Sequence, residues 1–159
     1  MSLAIVPGSF DPMTLGHLEL IREVSTRYDK VVVAVMVNTE KKYLFDMDTR
    51  LEIARLTVSE LENVQVIADS GMLIDLYDRL SADAVCKGYR NEEDLAYEQW
   101  MANWNAEHNP RFQTVLIPSV GVHSALSSTE VRRRMESGEN IENLVSKKAL
   151  PLILKGRIQ

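Results

Sequence analysis

The sequence has 159 residues, of which 45% are hydrophobic and 26% charged, and its formal net charge is −5 at pH 7. This length and composition predict a single domain over residues 1–159, and the acidic balance argues against a general nucleic-acid binder. No apolar stretch approaches the length of a membrane span, so we expect no association with a membrane. A single cysteine, Cys86, excludes an intrachain disulfide, and we expect a cytoplasmic protein.

Short apolar segments alternate with amphipathic segments along the chain. The apolar segments predict strands at residues 3–7, 30–37, 63–68, 83–88 and 112–119. The amphipathic segments predict helices at residues 16–28, 48–61, 71–82, 92–107 and 127–138. Five strands that alternate with helices indicate an α/β fold with a doubly wound parallel sheet and helices on both faces.

Cap residues and prolines mark several helix ends. We expect the second helix to begin with Asp48 or Thr49 as its cap. The fifth helix follows hydroxyl cap residues and should stop at Gly138. The tail at residues 147–158 is apolar enough for a helix, and Pro151 should kink that helix or mark its first turn.

The loop after the first strand, PGSFDPMTLGH at residues 7–17, combines groups that can hold an anion. Ligands of open α/β sheets bind beyond the carboxyl ends of the strands. Gly8 permits close approach of a phosphate, Ser9 adds a hydroxyl donor, and His17 lies in the first turn of the next helix. Proline, glycine and aspartate are also ordinary turn residues, so the loop alone does not decide between a turn and a binding site.

The segment GSFDPMTLGH resembles the G(T/S)FDPxTxGH signature of the nucleotidyltransferase superfamily, whose members share a Rossmann-like fold and an HxGH-type site. Thr14 stands at the position of the first histidine, which is typical of the phosphopantetheine adenylyltransferase family. Three further segments match that family in order: the paired Lys41 and Lys42, KGYRNEEDLAYE at 87–98, and LSSTEVR at 126–132. The resemblance implies a Rossmann-like five-stranded sheet.

The reaction that this resemblance implies is adenylyl transfer. The phosphate of 4'-phosphopantetheine attacks the α-phosphorus of ATP, which gives dephospho-coenzyme A and pyrophosphate. A phosphate monoester is already an anion near neutral pH, since its second pKa is about 6, so no general base is needed. The protein would align two anionic phosphates and neutralise the developing charge.

The resemblance also implies a role for individual residues. His17 would donate a hydrogen bond to the α-phosphate, Ser9 would hold the attacking phosphate, and Lys41 would pair with that phosphate; these three are the catalytic candidates. Lys87 would add a second cation for phosphopantetheine, and Leu73 would line its channel. By periodicity alone Leu73 fits the core, and paired lysines are commonly solvated.

The ATP site implied by the resemblance draws on three segments. Arg90 would bind the β- and γ-phosphates, and Glu98 would lie near the ribose or the triphosphate. The full set is Ser9, Phe10, His17, Gly88, Tyr89, Arg90, Glu98, His123, Ser124, Ala125, Leu126, Ser127, Ser128 and Thr129. Mg²⁺ is expected to arrive with ATP, because no carboxylate cluster marks a metal site held by the protein.

Some features depart from the family pattern or fit other interpretations. Lys87 replaces the usual arginine. The loop at 120–125 lacks the usual tryptophan, so the resemblance does not decide whether residues 123–126 contact the adenine base. Trp100 and Trp104 predict a packing pair on one helix face. Alternatives to phosphopantetheine transfer are a nicotinamide-nucleotide or other small phosphate-ester nucleotidyltransferase and a non-catalytic nucleotide-binding module. A homohexamer and feedback binding of coenzyme A are expected by resemblance only.

Overall fold

A computed structural model describes residues 1–156. Residues 157–159 lie outside the described part. They belong to the predicted domain, and residues 157 and 158 belong to the predicted tail helix. Residues 1–156 contain five strands: β1 (Leu3–Gly8), β2 (Lys30–Met36), β3 (Val64–Asp69), β4 (Ala84–Tyr89) and β5 (Thr114–Pro118). The same range contains six helices: α1 (Leu15–Arg27), α2 (Met47–Thr57), α3 (Leu73–Arg79), α4 (Glu92–His108), α5 (Ser128–Ser137) and α6 (Leu150–Lys155). The predicted order of elements is confirmed.

The strands of the described chain form one parallel sheet in the order β3-β2-β1-β4-β5. β1 lies at the centre, where Ile5 pairs with Val32 of β2 on one side and with Val85 of β4 on the other. β2 and β3 therefore lie on one side of β1, and β4 and β5 lie on the other side. The strand order reverses between β1 and β4, and the carboxyl ends of these two strands frame the crevice where such sheets bind ligands.

Successive side chains of β1 enter two different cores. Ala4 and Val6 pack in a cluster with residues from α1, α2, α5 and α6, whereas Ile5 packs in a second cluster with Leu76 and Tyr77 of α3. Alternation of side chains across the sheet produces this division. Helices therefore cover both faces, as predicted, and burial on both faces explains why the strands are nearly continuous apolar runs.

The predicted cap of α2 is wrong by two or three residues. Asp46 is the cap, and its carboxylate accepts a hydrogen bond from the backbone N–H of Thr49 at 2.8 Å. The helix consequently begins at Met47. Asp48 lies in the first turn, where a negative charge interacts favourably with the helix dipole.

The predicted cap and stop of the fifth helix and the predicted place of Pro151 are confirmed, whereas the tail helix begins at Leu150 and not at residue 147 as predicted. The hydroxyl of Ser127 accepts the backbone N–H of Glu130 at 3.1 Å, and α5 ends at Gly138. Pro151 lies in the first turn of α6, where its missing N–H costs nothing. Within residues 1–156, no helix has the length and apolar character needed to span a membrane.

The predicted pairing of Trp100 with Trp104 is wrong. Trp100 stacks with Tyr97 at a ring distance of 6.5 Å, and Trp104 stacks with His108 at 3.7 Å. Spacing by four residues places both indoles on adjacent turns, but each ring rotates towards a different neighbour. Trp100 stays 61% exposed.

Arg50 of α2 is buried and connects three parts of the backbone. Its guanidinium donates to the carbonyl oxygens of Ser9 at 3.0 Å, Phe45 at 3.2 Å and Met36 at 3.4 Å. The ring of Tyr43 covers the guanidinium at 3.9 Å. Arg50 thereby fixes the loops that follow β1 and β2 relative to each other.

We expect Arg50→Met to lower the free energy of unfolding by about 3 kcal/mol, because it leaves buried carbonyl oxygens without a donor. Urea denaturation followed by circular dichroism measures this change. Arg55→Met, on the exposed side of the same helix, is the matched control and should cost less than about 0.5 kcal/mol. Equal losses in the two variants would contradict the role assigned to Arg50.

Candidate active site

A cavity of about 310 Å³ lies at the carboxyl ends of β1 and β4. It brings together predicted site residues from segments between Ser9 and Ser128 that are distant in sequence. The predicted residues that line it are Ser9, Phe10, His17, Lys87, Gly88, Arg90, Glu98, His123, Ser124, Leu126, Ser127 and Ser128. The parallel sheet joins these segments because the loops after its strands emerge at one edge.

Five predicted residues do not line this cavity within the described chain: Lys41, Leu73, Tyr89, Ala125 and Thr129. Lys41 is exposed in the loop between β2 and α2. Leu73 begins α3 and packs against the second core cluster, as periodicity alone suggested. Ala125 lines a neighbouring pocket together with Arg90 and Ser124.

Phe10 shapes the floor of the site through an unusual backbone conformation. Its φ is 47°, in the left-handed region that a bulky residue rarely adopts. In this conformation the ring lies over Gly8, where an added Cβ would come 2.9 Å from the ring. The glycine is therefore required by the position of the phenyl ring.

The rings of His17 and Phe10 pack nearly perpendicular to each other, with centroids 5.1 Å apart. Burial lowers the pKa of His17, and the nearby positive charge of Arg90 lowers it further, to about 4. The imidazole is therefore neutral at neutral pH. A neutral imidazole can donate one hydrogen bond without adding charge to the site.

The cations of the cavity are held by carboxylates. Lys87 Nζ lies 2.9 Å from Glu98 Oε2, and the Glu98 side chain is only 12% exposed. Arg90 Nε lies 3.3 Å from Asp94 Oδ2. The structure thus pairs two residues, Lys87 and Glu98, for which separate ligands were predicted.

The start of α5 is connected to the loop after β1. Ser128 Oγ donates to the carbonyl of Pro12 at 2.7 Å, while the Ser127 hydroxyl caps the helix. Both hydroxyls therefore already have structural partners. The first backbone N–H groups of α5, at Ser128 and Thr129, have no carbonyl partner within the helix, and such groups favour anions.

The loop at residues 119–127 lies directly on α1. A Cβ on Gly16 would come within 3.1 Å of the carbonyl oxygen of His123, so the glycine permits this close approach. His123 Nδ1 also forms a hydrogen bond with Glu19. A second cavity of about 400 Å³ adjoins the first here, and the two share His123, Gly16, Leu20 and Ser119.

Several residues that line these cavities were not predicted from the sequence, among them Glu19, Asp94 and Tyr97. Asp94 follows Arg90 by four residues at a helix start, and this spacing is a recognisable ion-pair pattern. No comparable signal identifies Glu19, because its partner lies 104 residues away.

Comparison with known proteins decides the family. The cytidylyltransferase-like family model matches residues 5–134. A phosphopantetheine adenylyltransferase of Clostridium botulinum (strain Alaska E43 / Type E3) is 37% identical over 98% of both chains. That of Clostridium kluyveri is 38% identical over 98% of this chain and 94% of its own.

The chain belongs to the phosphopantetheine adenylyltransferase family. The predicted family and the predicted class of enzyme, a nucleotidyltransferase, are confirmed. A solved structure assigned as a nicotinate-nucleotide adenylyltransferase of Vibrio parahaemolyticus matches with a TM-score of 0.74 at 19% identity and covers 99% of this chain and 95% of its own. This likeness confirms the fold that the phosphopantetheine adenylyltransferase signature implied.

We expect the His17 imidazole to titrate near pH 4 in an NMR experiment. Arg90→Gln should raise its pKa only partly, because burial is the larger cause. The unfolded chain binds this proton near its usual pKa of 6.5, so the His17 contribution to stability increases with pH between about 4 and 6.5. The variants His108→Gln and His123→Gln assign the signals, and a His17 midpoint near 6.5 in the unaltered protein would contradict the expectation.

Proposed function

We propose that this chain transfers the adenylyl group of ATP to 4'-phosphopantetheine and releases dephospho-coenzyme A and pyrophosphate, as a step of coenzyme A biosynthesis. The observation that supports this function best is the single cavity lined by His17, Lys87 and Arg90 together with the start of α5. The names of the relatives agree with it.

The reaction is a direct in-line displacement. An oxygen of the phosphopantetheine phosphate forms a bond to the α-phosphorus of ATP, and the bond from that phosphorus to the oxygen bridging to the β-phosphate breaks. The electron pair of the broken bond leaves with pyrophosphate. The attacking phosphate is already ionised, so the chain contributes position and charge stabilisation rather than a base.

His17 stabilises the transferred phosphate in this proposal. The neutral ring donates a hydrogen bond to an α-phosphate oxygen as its charge develops. Ser9, on the same loop, holds the attacking phosphate with its hydroxyl. A donor that is already fixed in position gains most in the transition state, because no reorganisation is needed there.

ATP lies across the start of α5 and the end of β4. Arg90 binds the β- and γ-phosphates together with the backbone N–H groups of Ser128 and Thr129. The base occupies the adjoining cavity beside His123. The remaining predicted contacts to ATP are Phe10, Gly88, Tyr89, Glu98, Ser124, Ala125, Leu126 and Ser127.

Phosphopantetheine approaches from the side of the loop between β2 and α2. Lys87 binds its phosphate after exchanging part of its contact with Glu98. Lys41, on that exposed loop, supplies a second cation. Leu73 lines the outer part of the pantetheine channel. It does so from its partly buried position at the start of α3.

Mg²⁺ accompanies ATP in this proposal. Residues 1–156 contain no group of three or more His, Cys, Asp or Glu side chains placed to hold a metal ion. Mg²⁺ prefers to keep several waters and to bind phosphate oxygens. The nucleotide therefore carries the ion, which neutralises charge on the triphosphate.

The same proposal includes a homohexamer, feedback binding of coenzyme A, a single domain over residues 1–159 and a cytoplasmic location. Tyr97 and Trp100 support self-association, because their stacked rings are 58% and 61% exposed on α4. The single Cys86 is buried and free, which agrees with a reducing compartment.

We expect purified protein to release pyrophosphate when ATP, Mg²⁺ and phosphopantetheine are supplied. His17→Ala should lower kcat at least about 100-fold and change the KM for ATP by less than about threefold, since its contact strengthens in the transition state. His108→Ala, at the exposed end of α4, is the control and should keep full activity.

The choice of acceptor tests the alternatives in the same assay. Release of pyrophosphate with nicotinamide mononucleotide and not with phosphopantetheine would overturn the proposed substrate. ATP binding without release for either acceptor would instead indicate a non-catalytic nucleotide-binding module.

Light scattering should give the mass of six chains, and Trp100→Glu should shift the protein to smaller species, because a buried charge in the interface is unfavourable. Added coenzyme A should reduce pyrophosphate release. A monomer at micromolar concentration would contradict the hexamer, and unchanged release would contradict the feedback.

A further inference from the structure

The first turn of α1 contains an unusual version of a capping box. The hydroxyl of Thr14 accepts the backbone N–H of His17 at 3.3 Å, and the backbone N–H of Thr14 donates to His17 Nδ1 at 3.0 Å. In the common form of this motif, the residue at the position of His17 is glutamate or glutamine. Here the imidazole ring accepts the hydrogen bond instead.

This arrangement determines which ring nitrogen carries the proton. A backbone N–H can only donate, so Nδ1 of His17 must offer its lone pair. A neutral imidazole has one N–H, and that proton is then on Nε2. The Thr14 hydroxyl, 3.2 Å from Nδ1, can reinforce the same state by donating to the ring.

Buried neighbours surround one side of this contact. Thr14 has no exposed surface, and Phe10 packs against the His17 ring. The low pKa of His17 agrees with a neutral ring. Since Nδ1 is engaged by the cap, Nε2 is the nitrogen available to a ligand in the cavity, and it has no hydrogen-bond partner within residues 1–156.

We propose that Thr14 is a positioning residue, which holds His17 as the tautomer with its proton on Nε2 and so presents a neutral hydrogen-bond donor to the transferred phosphate. The other tautomer would turn a lone pair towards the phosphate and repel it. This inference rests on the proposed role of His17 in adenylyl transfer, but the tautomer itself does not depend on that role.

The test removes the Thr14 hydroxyl and keeps the shape of the side chain. Thr14→Val removes the hydroxyl half of the capping box with almost no change in volume and leaves the backbone N–H, and Thr14→Ser restores the hydroxyl. Nitrogen-15 NMR of histidine-labelled protein distinguishes a protonated ring nitrogen from one with a lone pair. The matched control is Thr57→Val, which removes another buried threonine hydroxyl, bonded to the carbonyl of Ile53 at 2.7 Å on α2.

In the unaltered protein we expect Nδ1 of His17 to show a lone-pair signal and Nε2 a protonated one. Thr14→Val keeps the backbone N–H that donates to Nδ1 but loses the hydroxyl that accepts the backbone N–H of His17 and holds the first turn in place. The ring is then less firmly held against that N–H, so the two signals should move towards each other as the tautomers mix. The kcat of this variant should fall at least tenfold, while the KM for ATP changes less than threefold. Thr14→Ser should return kcat to within threefold, and Thr57→Val should alter neither kcat nor the His17 signals.

Two results would overturn the proposal: a proton on Nδ1 in the unaltered protein, or His17 signals and kcat in folded Thr14→Val that equal those of the unaltered protein. Loss of kcat with unchanged His17 signals would also overturn it and would leave Thr14 as a structural cap. If the signals behave as expected but His17→Ala keeps full kcat, the proposed catalytic role of His17 fails and the tautomer assignment stands.

Discussion

The β1–α1 loop depends on the buried carboxylate of Asp11, because this loop has no strand partner of its own. The two carboxylate oxygens accept the backbone N–H groups of Leu44 at 2.8 Å and Phe45 at 2.9 Å, which follow β2. The carbonyl of Asp11 accepts a hydrogen bond from Arg132 of α5 at 2.8 Å. Three segments that are distant in sequence are thereby fixed against one another, and the groups that this loop presents to the cavity keep their positions through this junction.

The cavity places cations locally in a chain whose net charge is −5, as the proposed binding of two phosphorylated substrates requires. Lys87 and Arg90 are each paired with a carboxylate, so their charges are held in place without the repulsion that two bare cations would exert on each other. His17 adds a donor without adding charge. The local arrangement of a few groups, rather than the overall balance, therefore determines which ligand the site accepts.

The sequence could predict the elements of the fold and most of the cavity wall, because both follow from local patterns and from a signature of fixed spacing. The runs of β-branched residues at 30–37 predict a strand that is buried on both faces, and the structure has one. The cap of α2 was wrong because Asp46, Asp48 and Thr49 all suit a cap, and only the backbone path decides among them. The contact of Lys87 with Glu98 could not be read from the sequence, since it depends on the angle between β4 and α4.

Helix α1 shows why a threonine and a histidine suit each other at this site. The start of a helix needs an acceptor for its cap N–H, and glutamate is the common solution. A glutamate at the position of His17 would carry a negative charge into the cavity that we propose for the phosphates. Histidine accepts the cap hydrogen bond on Nδ1 and leaves an N–H for the ligand on Nε2. The His17 side chain therefore completes the cap begun by Thr14 and also supplies a neutral hydrogen-bond donor.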